Sequence, residues 1–216
     1  GGTSAEKERP DRQIAGVNGV IRAPTKEELQ RGYVMWAEQY DGDVGSIDDY
    51  IAPSKLVEVA AEHLDPASHV IDAGAGTGLV GEALTAKGFT HLTALDFSAG
   101  MLEIARSKGI YHNLHECDLS KETALPENSG DALVTCGTTT QVPSTSLREY
   151  VRLVRPGGKI VFAVVTGTWE EFGYAAIQEE LEVAGRLRVS HKGERFQMMP
   201  TTEPQFICEI WVMDVL

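Results

Sequence analysis

The sequence predicts an α/β protein built on a doubly wound, mostly parallel sheet. Two observations carry this expectation. From about residue 69 onward, short apolar runs alternate with amphipathic segments, the pattern of strands buried on both faces and joined by crossover helices. The first of these runs, "HVIDAG", opens into three glycines at alternate positions, Gly74, Gly76 and Gly78. Glycines clustered between a strand and a helix mark a bend where backbone must approach something closely.

Each element follows from its pattern and its punctuation. Residues 1–23 are polar and read as a mobile arm. Thr25 and Glu28 form a capping box, and Leu29, Tyr33, Trp36, Ala37 and Tyr40 then recur at helical spacing. A second helix is expected from about Pro53 to Leu64. These helices make a lid, residues 24–66, on a single domain whose core spans 67–216. In the core, strands are expected over 69–74, 91–97, 111–118, 131–137 and 159–167. Helices are expected over 77–88 and after the N-cap Ser98, with Gly109 past the end. A further helix follows a Ser146/Glu149 capping box, and another runs from Trp169 to Ala184. "RPGG" is a tight turn before the fifth strand. Two strand-like pieces close the chain with no long helix between them, so they form a hairpin that adds an antiparallel strand at one edge.

Composition narrows the function. A chain of 216 residues suits one domain with a sizeable core. A net charge of -13 repels phosphate backbones, which argues against nucleic acid as partner. Cys117, Cys136 and Cys208 are scattered and form no metal or disulfide spacing, as reduced thiols of a cytoplasmic protein would be. No apolar run approaches the roughly 20 residues of a membrane helix, and no signal peptide is visible. No metal is expected: "DGDVG" begins like a calcium loop, but its closing position is Ala52 rather than glutamate. The histidines sit mostly at element ends, and none is assigned as a base.

The glycine loop sits at the carboxyl end of the first strand, where doubly wound sheets bind nucleotide-type ligands. A dinucleotide loop wants G-x-G-x-x-G, but here the third position is Leu79 and the third glycine comes one residue early. Asp96, about 20 residues on at the end of the second strand, is placed to accept ribose hydroxyls. Asp118, ending the third strand, is placed for an exocyclic amine, with Leu119 against an adenine ring. The fourth strand ends in small residues, "TCGTTTQVP", fit to line a channel between cofactor and substrate. Thr138 and Gln141 either orient an acceptor there or finish a polar loop.

Together, "VIDAGAGTG", "ALDFS", "CDLS", "DALVTCG" and "RPGGKIVFAV" resemble the successive motifs of class I S-adenosylmethionine-dependent methyltransferases. "YVMWAEQYDGDV" and "TQVP" are further similar to the methyltransferase-like proteins of the Williams–Beuren region. The resemblance implies a Rossmann-like sheet of seven strands with the C-terminal antiparallel strand and an N-terminal helical lid. It implies S-adenosylmethionine as cofactor, with Gly74, Ala75, Gly76 and Gly78 in its loop and Asp72 near its ammonium group. Asp96 would hold the ribose, Phe97 and Met101 would flank the adenine, and Cys136 and Gly137 would line the sulfonium end. Tyr40 would touch the cofactor, and Trp36 would be core or acceptor-pocket wall. The implied activity is methyl transfer to a small-molecule acceptor by in-line displacement. Two alternatives stand beside it: a non-catalytic module on the same fold, and an NAD(P)-dependent oxidoreductase, which the glycine spacing disfavours.

Overall fold

The structure is a computed structural model that describes residues 49–201 and 203–216. The expected arm, the first lid helix and the positions of Trp36 and Tyr40 lie outside the described residues. In chain order the elements are α1 (Ala52–His63), β1 (His69–Ala73), α2 (Leu79–Ala86), β2 (His91–Asp96), α3 (Ala99–Ser107), β3 (Asn113–Glu116) and β4 (Gly130–Thr135). They continue as α4 (Ser146–Leu153), β5 (Val154–Val165), α5 (Thr168–Glu171), α6 (Tyr174–Val183), β6 (Leu187–Lys192), β7 (Phe196–Met199) and β8 (Glu203–Val215).

The sheet runs β3-β2-β1-β4-β5-β8-β6, with β7 also paired to β8. The first five strands are parallel, and β8 is antiparallel to β5 on one side and to β6 and β7 on the other. β6 and β7 share that side of β8, so the sheet has seven positions with one interrupted strand. The hairpin is therefore as expected, but its antiparallel strand is not at the edge. α5 and α6 carry the chain back over the sheet, which sets β6 parallel to β5. The returning β8 then fills the gap between them.

Alternate side chains of each inner strand enter different cores. Val70 and Asp72 of β1 face α1, α2 and α3, where Leu56, Val57, Ala60, Leu84, Leu102 and Ala105 are buried. Ile71 and Ala73 face α4, α5 and α6, with Leu147, Tyr150, Val151, Trp169 and Tyr174. The inner parallel strands β1, β2 and β4 are mostly apolar because both faces are covered. α1, expected in the lid, thus belongs to the layer that covers the sheet. β3 is the edge strand and is mostly exposed.

Local punctuation explains most boundaries. Ser98 Oγ accepts from the Met101 N–H at 3.3 Å, the expected cap of α3. Three expectations are corrected. Ser146 and Glu149 form no capping box: Glu149 instead accepts from Thr123 and pairs with Arg152 at 2.7 Å, tying a distant loop to α4. "RPGG" is an irregularity within β5 rather than a turn before it, since Val154 already pairs with Gly130 and the register shifts before Lys159. The helix expected over 169–184 is two, broken at Gly173, whose φ is 81°. The break folds α5 back so that Trp169 stacks on Tyr174 at 4.8 Å and meets Phe162 edge-on at 5.2 Å.

Trp169 is 2% exposed, and its indole N–H donates to Gln178 at 2.8 Å. Trp169→Ala is expected to lower stability by about 3–5 kcal/mol, read as a fall in the urea midpoint with little change in slope.

Candidate cofactor site

The exits of β1, β2, β3 and β4 lie side by side at the carboxyl edge of the sheet. After β1 the chain turns sharply: the Gly74 and Ala75 N–H groups both donate to Leu95 O, at 2.7 and 3.1 Å. Gly74, Gly76 and Gly78 have φ of 78°, 55° and 96°, conformations that L side chains adopt only at about 1–2 kcal/mol. A Cβ on Gly74 would run into Thr138 Cγ2, whereas one on Gly76 would meet no described atom within 4 Å. The loop is thus closed on the β4 side and open at Gly76.

Asp96 holds this loop in place. Its Oδ2 accepts from the Gly76 N–H at 2.8 Å and its Oδ1 from the Ser98 N–H at 2.9 Å. Burial pushes its carboxyl up, and these backbone N–H groups pull it down. Asp72 is more isolated. Tyr111 donates to its Oδ2 at 2.6 Å, while Oδ1 is buried without a partner. Burial pushes the Asp72 carboxyl up to about 7, Asp96 adds to the push, and the Tyr111 hydrogen bond opposes it.

The other expected residues fall as follows. Phe97 is half-buried beside Asp96. Met101 is 1% exposed and Leu119 5% exposed, so each offers little surface in this arrangement. Leu119 lines, with Ser120, Thr145 and Ser146, a hollow of about 240 Å³ between the segment after β3 and α4. Asp118 Oδ1 accepts from the Ser120 N–H and hydroxyl at 3.0 and 2.6 Å, which closes the turn after β3. Thr138 is buried, its hydroxyl paired with that of Thr135 at 2.7 Å, and its carbonyl accepts from the Gln141 and Val142 N–H groups. Cys136 Sγ lies 3.5 Å from the Tyr50 hydroxyl, and burial pushes its thiol up to about 12, so it is a neutral wall. A Cβ on Gly137 would lie 3.2 Å from the same hydroxyl.

Sequence reasoning missed Tyr50 and Tyr111, which lie outside the quoted motifs, and gave no role to Thr135, which lies within "DALVTCG". Among the described residues, no group of three or more His, Cys, Asp or Glu could hold a metal, and no helix is long and apolar enough to cross a membrane. Three histidines lie at the opposite edge of the sheet: His69 stacks on His91 at 4.0 Å, and His112 meets His91 edge-on at 5.4 Å. Burial and this crowding hold His69 below its ordinary value.

Two buried carboxylates around an open glycine loop make a poor pyrophosphate cradle and a good receptor for a cationic, ribose-bearing ligand. The profile of the methyltransferase domain family matches residues 71–162, from the middle of β1 into β5. Methyltransferase-like protein 27 from Homo sapiens is 35% identical over 142 residues, 63% of this chain and 57% of that protein. Malonyl-(acyl-carrier protein) O-methyltransferase from Serratia marcescens is 30% identical over 154 residues, 69% of this chain and 58% of that protein. The chain therefore spans little more than half the length of these curated relatives. Among solved structures, the 1,6-didemethyltoxoflavin-N1-methyltransferase of Burkholderia thailandensis superposes with a TM-score of 0.61 at 18% identity, covering 85% of this chain and 86% of that one. This last likeness shows the fold alone. Residues 71–162 therefore carry a methyltransferase domain, and the fold is that of the class I S-adenosylmethionine-dependent methyltransferases. The cofactor of that class, S-adenosylmethionine, fits the buried Asp72 Oδ1 and the open face of Gly76.

Two outcomes are expected. Gly74→Ala will lose stability and adenosyl-ligand affinity, and adding Thr138→Ser, which removes Cγ2, will restore part of both, leaving about 1–2 kcal/mol of backbone strain; paired melting and binding curves check this. The second concerns pH. Native Asp72 titrates at about 7 against an ordinary 3.8, so its contribution to stability is full below the ordinary value and lost as pH rises through 7. Asp72→Asn is therefore expected to be more stable than the parent at pH 8 and to lose that advantage near pH 4, in urea titrations without ligand.

Proposed function

We propose that this protein transfers the methyl group of S-adenosylmethionine to a small-molecule acceptor in the cytoplasm. The single observation that carries the reading is the pairing of Asp96 with the Gly76 N–H beside the partnerless Oδ1 of Asp72. Both acids then serve one ligand. The Gly76 and Ser98 N–H groups bond Asp96 at 2.8 and 2.9 Å and the Phe97 N–H also favours its charged form; a carboxylate has about four lone-pair sites, so acceptor capacity is left over. That remaining capacity suits a ribose hydroxyl. Asp72 Oδ1 suits the ammonium of the amino-acid end.

S-adenosylmethionine supplies an electrophilic methyl group carried on a sulfonium. The protein's part is to align the acceptor with that carbon and to exclude water. Gly74, packed against Thr138, brings the β1 and β4 exits close enough to hold both reactants. Cys136 and Gly137, with Tyr50 behind them, form the apolar wall at the reacting end. In this reading Thr138 and Gln141, on the turn after β4, border the acceptor side. No titratable group among these is poised as a base, which suits an acceptor that arrives unprotonated. In this reading the domain is one unit whose N-terminal segment ahead of α1 closes over the cofactor, with Tyr40 touching it and Trp36 walling the acceptor. The acidic surface, at a net charge of -13, favours a neutral or cationic acceptor.

The test compares S-adenosylhomocysteine, S-adenosylmethionine and NADPH in thermal melts. At 100 times its dissociation constant a ligand adds about 2.7 kcal/mol, so the adenosyl compounds should raise Tm by about 5–10 °C and NADPH should not. Asp96→Ala is expected to abolish the rise. A rise with NADPH alone would refute the reading. Labelled methyl donor incubated with small-molecule extracts then finds the acceptor; label appearing only in protein would remove the small-molecule assignment.

A further inference from the structure

Tyr111 precedes β3, two strands away from β1, yet it reaches under α2 to touch the acid before the glycine loop. Its ring is buried and its hydroxyl donates to Asp72 Oδ2 at 2.6 Å. Two glycines clear the path. A Cβ on Gly78 would lie 3.1 Å from Tyr111 Cε2, and one on Gly81 would run into the Tyr111 hydroxyl and Cζ. Gly81 lies inside α2 and has no positive φ, so backbone geometry does not require glycine there. Glycine inside a helix is less favourable than alanine. The passage of the phenol to Asp72 accounts for it.

We infer that Tyr111 is the positioning residue of the cofactor site: its hydrogen bond occupies Oδ2 of Asp72, favours the charged carboxylate and leaves Oδ1 as the acceptor for the ligand's ammonium group. The inference rests on the adenosyl-cofactor reading above. The titratable groups facing Asp72 are Asp96 from the end of β2, Cys136 from the end of β4 and Tyr111 itself. Glu82 of α2 faces the phenol and is paired with Lys108 at 2.8 Å. None of these facing groups is a cation, so the phenolic O–H is the neighbour that favours the charged carboxylate. Burial and Asp72 push the phenol well above its ordinary value, so it stays a donor across the accessible pH range. Ligand binding then requires that Asp72 release its proton to solvent.

The experiment is calorimetric titration with S-adenosylhomocysteine from pH 5.5 to 9. The parent protein should bind more tightly as pH rises through about 7 and then level off, releasing a proton to buffer on the acid side. Tyr111→Phe should move that rising limb upward, with affinity about tenfold weaker at pH 7 and close to the parent at pH 9. Gly81→Ala, which displaces the phenol without removing it, should shift the limb the same way and covers the case of a poorly folded Tyr111→Phe. A uniform loss at all pH values, or an unshifted limb in both variants, overturns the positioning role while leaving the cofactor reading intact. Absence of binding by the parent protein at every pH overturns both.

Discussion

The Asp96 carboxylate is the tie on which the site depends. One oxygen holds Gly76, in the bend after β1, and the other holds the N-cap residue of α3. Two crossover connections are thereby joined through one buried charged group. Burial of a carboxylate is unfavourable unless hydrogen bonds compensate, and both of these come from backbone N–H groups, that of Ser98 at the start of α3 and that of Gly76 in the loop before α2. This tie and the Leu95 carbonyl together fix the left-handed glycine loop.

The second acid makes the arrangement selective. Asp96 lies close enough to Asp72 to raise its proton affinity, and the facing described groups supply no balancing cation. A phosphate would add like charge to such a pair. A sulfonium or ammonium relieves it, because low-dielectric surroundings strengthen the attraction on both carboxylates. Methyl donors of this class are cationic nucleosides without phosphate, so the electrostatics and the family point to the same ligand.

The fold was legible where the determinants are local. The buried strands, Ser98 as cap and the glycine bend each depend on residues within a few positions of one another, and all stand in the structure. Errors arose where tertiary partners override local chemistry. Glu149 has the spacing of a capping residue, yet Arg152 and Thr123 outcompete a backbone N–H for its carboxylate. The break at Gly173 follows from Trp169 seeking Tyr174 and Phe162, a preference that helical periodicity does not encode. The same reason hid Tyr111 and Tyr50 from the candidate site: each meets its partner across 39 and 86 residues of chain. Asp72 and Asp96 stand out as candidates because they sit at strand ends; Tyr111, which bonds Asp72, and Tyr50, which lies against Cys136, do not.

The interior position of β8 has a consequence for biosynthesis. β5 is among the most apolar strands, and its free side is covered only by β8, whose pairing runs from Val165↔Cys208 to Lys159↔Asp214. A nascent chain that has just produced Val165 must carry that naked strand edge until about 50 more residues have emerged, roughly 3–10 s at ordinary translation rates. Unpaired apolar edges recruit other strands, so chaperone cover of the half-built sheet during that interval governs how much of the newly made protein escapes aggregation.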